Sequence, residues 1–156
     1  MFDPGTVALL ESGCSISVCT VSPDGGPYAS RGWGITVLAD GARVRLLLDA
    51  EDRTTIANLA GGDAIAVTAV AVPTLRAVQL KGHADEPVAT SDPGDLARAD
   101  AHCERFFADV TTLEGTPVGL LERLKPSAYA VCTVAVAEVF DQTPGPVAGA
   151  RLATAP

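Results

Sequence analysis

The side chains of this chain that could do chemistry are few, and their types point to anion binding rather than to nucleophilic catalysis. Arg53-Thr54-Thr55 follows an apolar run ending in acids, LLLDAED, and precedes the short stretch IANLA closed by Gly61-Gly62. At the first turn of a helix, one guanidinium and two hydroxyls could seat a phosphate. A helix start exposes unpaired N–H groups and partial positive charge, and a guanidinium offers paired donors to phosphate oxygens. The same residues also suit an ordinary helix start, with Asp52 as the cap, Arg53 paired with Glu51, and the threonines in water. In SRGWG, Arg31 stands beside Gly32, Trp33 and Gly34. Glycines around an indole suggest close approach of a ligand to the backbone, although a single tryptophan also suits a core. In RAVQLKGH, strand alternation puts Gln79, Lys81 and His83 on one face. The Gln79 amide can both donate and accept, and Lys81 could neutralise an anion; both also suit plain surface.

Other chemistries lack their residues. No nucleophile–base pair or paired-carboxylate motif stands out, so no catalytic residue is assigned. His83 and His102 are the only histidines, which excludes a multi-histidine metal site. Cys14, Cys19, Cys103 and Cys132 form no CxxC and no Cys/His zinc spacing, and are expected as reduced core residues. Such a chain suits an enzyme whose chemistry belongs to a cofactor. With 11 basic and 19 acidic side chains, the net charge is −8 and no basic cluster interrupts it. A surface of that sign repels nucleic acid and anionic lipid. No apolar run reaches the roughly 18 residues of a membrane span, and MFDPG lacks the regions of a signal peptide. A cytoplasmic protein is the expectation.

The elements that must position these residues follow from periodicity. Asp3 as cap, Pro4 at the first position and Gly13 as stop predict a helix over 3–13. CSISVCTVS (14–22), YASRGWGITVL (28–38) and ARVRLLLD (42–49) are predicted as strands of a meander, with PDGG and ADG as turns. A short helix over 52–60 precedes the continuously apolar DAIAVTAVAV (63–72), expected as a central strand, and a strand over 74–86. Leu96, Ala99, Cys103, Phe106 and Val110, behind Asp92-Pro93, predict an amphipathic helix of about four turns. A shorter helix near 116–124 and a last strand over 128–140 complete the set. Residues 1–142 are expected to form one domain, and 143–156 a Pro/Gly/Ala-rich tail that no core requires. Six antiparallel strands most economically close into a barrel. The fold class is therefore mainly β, a barrel with helices.

The order of these elements resembles the pyridoxamine 5'-phosphate oxidase-like family of FMN-binding split barrels. Four pieces carry the resemblance: TVSPDGGPYASRGWG, LLLDAEDRTTIANL, LRAVQLKG, and the late unit ending in VAEVFDQTPGP. It implies a six-stranded antiparallel Greek-key split barrel, with a short helix after the third strand and a helical insertion before the last. It also implies a homodimer holding FMN between subunits. Arg31, with Gly32 and Trp33, then matches the motif facing the flavin. Leu48 and Asp49 match the strand end beside the ring and ribityl chain. Arg53 and Thr54, with Thr55, match the phosphate element, and Gln79 matches the glutamine that approaches the ring. Thr54 stands where the family has lysine, and AGARLATAP lacks the tryptophan and arginine that pyridoxamine-phosphate oxidases use for substrate. The resemblance therefore implies a flavin-dependent oxidoreductase acting on some other small molecule. A non-catalytic flavin binder or sensor is the alternative, as is a member of the fold that takes a deazaflavin or haem.

Overall fold

The computed structural model describes residues 2–61 and 64–154. Helix α1 (Pro4–Leu10) is capped by Asp3, whose carboxylate accepts from the Gly5 and Thr6 N–H groups. It ends at Leu10, not at Gly13. A Cβ on Gly13 would lie 2.4 Å from Cβ of Arg105, so this glycine lets a later helix pack close and does not act as a stop. Strands β1 (Ser15–Val21), β2 (Pro27–Val37) and β3 (Arg43–Asp49) form the expected meander. Helix α2 (Arg53–Leu59) leads into β4 (Ala64–Val70), which pairs back with β1, and β5 (Ala77–Ala84) pairs with β4.

Then come β6 (Val88–Thr90), α3 (Pro93–Glu114), α4 (Val118–Leu121) with a single 3-10 turn over Glu122–Leu124, and the long β7 (Tyr129–Asp141). Strand β7 pairs with β3 along its first half and with β5 along its second. That closes a six-stranded antiparallel barrel in the order β1-β2-β3-β7-β5-β4. The step from β3 across to β4 makes the connectivity a Greek key.

Alternation along the strands fills the barrel. Ile16, Val18, Ile35, Leu46, Leu48, Val67, Leu80 and Val134 point inward and are almost wholly buried. Each such side chain contributes about 1.5–3 kcal/mol by leaving water. A second core lies outside the barrel wall, where Trp33, Leu47, Tyr129 and Val131 meet Ala99, Cys103, Phe106, Phe107 and Val110 of α3. Helix α3 is 22 residues long, about two turns more than its apolar stripe predicts. Its first turn is fixed by Asp95, which accepts from both Nε and Nη2 of Arg45, at 2.7 and 2.6 Å, and from Thr90. The Arg45 hydrogen bonds hold the Asp95 carboxyl below the usual carboxylate range.

Two short strands have no counterpart in the sequence reading. Besides β6, residues Arg151–Thr154 form β8, which pairs with the far half of β7. Arg151 bridges to Glu138 at 2.8 Å, and Ala153 packs against the barrel core. All four cysteines are free; Cys14, Cys103 and Cys132 are buried as expected, and Cys19 is exposed. No helix among the described residues is long and apolar enough to cross a membrane.

Candidate functional site

The first turn of α2 is built by Asp52. Its carboxylate accepts from the Thr55 N–H at 3.1 Å and from the Thr55 hydroxyl at 2.6 Å. That hydroxyl also lies 2.8 Å from Oγ of Ser30 on β2, and Thr55 is fully buried. Asn58, one turn on, donates to the Thr20 hydroxyl at 2.9 Å. These two polar contacts seat α2 against β1 and β2, because a buried hydroxyl or amide without a partner would cost about 1–3 kcal/mol. Thr55 is therefore a structural residue, and its hydroxyl is not offered to a ligand.

What remains open to a ligand is Arg53 and Thr54, both exposed. Arg53 makes no ion pair among the described residues, and Glu51 instead accepts from Ser127 at 3.0 Å. The ordinary pairing of Arg53 with Glu51 thus does not form. The Arg53, Thr55 and Ile56 N–H groups have acceptors in Glu51 and Asp52, whereas the Thr54 N–H has none among the described residues. A ligand at this helix start would meet one guanidinium, one hydroxyl and one amide.

At the end of β3, the Leu48 side chain lies in the barrel interior, so only its backbone can border a ligand. Asp49 is half-buried and accepts from the Glu51 N–H at 2.8 Å, which shapes the turn into α2. The glycines around Trp33 have a different purpose from the one their sequence suggests. A Cβ on Gly32 would lie 2.5 Å from Cγ2 of Ile16, and one on Gly34 would lie 3.2 Å from Leu47. Both make room for neighbouring side chains, and Trp33 itself is buried between the barrel and α3.

Arg31 is exposed on the outer face of β2, its guanidinium 5.8 Å from the Trp33 ring and 5.3 Å from the Phe106 ring. Aromatic faces attract a cation at such distances. Strand register then sets a row across the sheet: Arg31 opposite Ser17, Ser17 opposite Thr68, Thr68 opposite Gln79. Three strand spacings separate Arg31 from Gln79, about 14 Å along the sheet. Gln79 donates to Thr68 at 3.1 Å and keeps its carbonyl free. Lys81 lies one row on, with its ammonium 4.7 Å from the Phe140 ring.

Arg31, Gln79 and Lys81 therefore share one outer face made of small residues, Ser17, Cys19, Ala66 and Thr68. Arg53 and Thr54 stand at the start of α2, which packs on Ser30 and Thr20; Ser30 pairs with the interior Val18, so its side chain lies on the face of β2 opposite to Arg31. Among the described residues, no three His, Cys, Asp or Glu side chains cluster as metal ligands would. Sequence reading missed Phe106 as a neighbour of Arg31. Phe106 reads as a core position of α3, and only the fold shows that its ring also carries Arg31.

No protein-family model matches the chain, and no curated protein matches it. Solved structures do. HupZ of Group A Streptococcus is 17% identical, with 96% of this chain and 100% of that one covered and a TM-score of 0.57. An F420 reductase is also 17% identical, covering 88% and 98%, with a TM-score of 0.57. A candidate pyridoxamine 5'-phosphate oxidase of Lactobacillus delbrueckii is 22% identical, covering 89% and 93%, with a TM-score of 0.52. At such identities the likeness is one of architecture, and it extends over nearly the whole chain: this is the split-barrel fold of the pyridoxamine 5'-phosphate oxidase-like proteins.

Proposed function

We propose that the chain binds FMN and serves as a flavin-dependent oxidoreductase for a small molecule, working as a homodimer. The observation that carries this reading is a pair of exposed arginines that make no ion pair among the described residues, Arg53 at the start of α2 and Arg31 on the small-residue face of a split barrel. Arg53, the Thr54 hydroxyl and the Thr54 N–H would hold the phosphate. Arg31, Asp49 and the backbone of Leu48, Gly32 and Trp33 would border the ring and ribityl chain, with Gln79 and Lys81 reached from across the face. The roughly 14 Å between Arg31 and Gln79 supports a dimer, because a second copy laid on this face could bring its own Gln79 to the Arg31 of the first. The bound flavin would supply hydride chemistry, while the chain orients it and keeps water from one side.

The seat carries one cation fewer than the family pattern, so FMN affinity should depend strongly on the remaining one. Arg53→Ala is expected to weaken FMN binding roughly tenfold or more, the loss of one or two charge-assisted hydrogen bonds. Quenching of flavin fluorescence during titration reads this directly. Equal affinity of the variant and the parent would remove Arg53 from the seat. F420 is the second reading, favoured by the likeness to an F420 reductase. Parallel titration with both compounds separates them.

A further inference from the structure

Beside Arg31 the barrel wall and α3 enclose a groove of about 700 Å³. Its walls are apolar: Val70 of β4, Leu75 of the β4–β5 loop, Phe106, Val110 and Leu113 of α3. Two charges enter it, Arg31 and Glu114. Phe106, over which Arg31 lies, and Glu114 are eight residues apart on α3, about 12 Å along the helix. The groove thus has a cationic end and an acidic end with an apolar floor between them. Arg31 makes no ion pair or hydrogen bond among the described residues; the Trp33 and Phe106 rings hold its guanidinium without neutralising its charge.

Leu75 adds an independent observation. It is 56% exposed and adopts φ 58°, the left-handed region, which disfavours a leucine. Holding a non-glycine residue there costs of order 1–3 kcal/mol. An asparagine would fit the backbone better and suit the solvent better. A leucine at this strained position is explained by its side chain forming a wall of the groove.

We propose that this groove is the substrate pocket, and that it takes an apolar monocarboxylate whose acid meets Arg31 and whose far end is uncharged. The acid is specified by the unpartnered guanidinium, the body by the apolar walls, and the single charge by Glu114, which repels a second acid. The proposal deepens the flavin reading, since the pocket adjoins the flavin seat at Arg31 and would present the substrate to the ring. Ligand binding in the groove is nonetheless measurable without turnover.

The test is a fluorescence titration with pyrene-1-butyrate and with its neutral counterpart, pyrenebutanol, on flavin-free protein and again at saturating FMN. The acid is expected to bind at least about tenfold more tightly than the alcohol. Arg31→Gln should abolish that preference. Leu75→Asn should weaken the acid several-fold while leaving thermal stability equal or higher, a combination that a merely structural leucine would not give. Equal binding of acid and alcohol, or no binding of either, overturns the proposal, and normal FMN titration of the same sample shows that the flavin reading survives it. A Leu75→Asn variant that turns dimer into monomer with unchanged acid affinity assigns the groove to a second copy, and also overturns it.

Discussion

Gly82→Ala is expected to lower the stability of the barrel by about 3 kcal/mol or more, beyond the range of ordinary overpacking. An added Cβ would lie 2.0 Å from the Ala135 carbonyl oxygen, 2.9 Å from its carbon and 3.0 Å from Cα of Val136. All three atoms are backbone of β7, so no rotamer change can relieve the contact. The pairing of β5 with β7 shifts register between Lys81 and Gly82, and that irregularity is what brings the two chains so close. Because β5–β7 is one of the seams that close the barrel, prising it open also disturbs the ladder on either side. A thermal midpoint lower by roughly 10 °C should result. Gly119→Ala is the control: a Cβ there meets nothing, and in α4 the exchange should be neutral or slightly stabilising. Equal midpoints for parent and Gly82→Ala would show that the seam is looser than described.

The second large effect is acid sensitivity centred on His102. Burial, with the nearby Arg98 guanidinium as the second cause, pushes the imidazole from 6.5 down to about 4. The Ser12 backbone acts the other way and Arg31 adds a smaller repulsion. The ring is 3% exposed and its Nδ1 has no partner, as is also true of Nε and Nη2 of Arg98. Between pH 6.5 and 4 the unfolded chain binds a proton that the folded chain refuses. Stability is therefore present above pH 6.5 and falls with pH down to about 4, by roughly 3 kcal/mol in all. His102→Gln cannot take up that proton. Denaturant titrations at pH 7 and 4.5 should show the parent losing about 2–3 kcal/mol more than the variant. Parallel losses in the two proteins would show that His102 is protonated in the folded state.

The strands were legible from β-branched alternation or, at 63–72, from continuous apolarity, because one face of every strand is committed to the barrel interior. Strand β8 was not, since RLAT is four residues long and its pairing is set by β7, which no local pattern can reveal. Gly32 shows a deeper limit. A glycine beside a tryptophan and an arginine reads as room for a ligand, yet its missing side chain makes room for Ile16, a residue 16 positions away. Thr55 fails in the same way: a hydroxyl at a helix start reads as a phosphate donor, and only the fold shows Ser30 and Asp52 already holding it. Arg31 and Arg53 stood out in the sequence because a cation makes its demand for a partner visible, and both are exposed without an ion pair among the described residues. The groove beside Arg31 was invisible, because it is made by a loop and a helix some 30 residues apart.

The most direct test of flavin binding is the absorption spectrum of freshly purified protein, followed by FMN titration of any sample that emerges colourless. Flavin bands in the purified protein, or saturable uptake of one FMN for each chain, are the expected result. A colourless protein that leaves FMN fluorescence unchanged throughout the titration would contradict it, and would return Arg53 and Thr54 to an ordinary helix start.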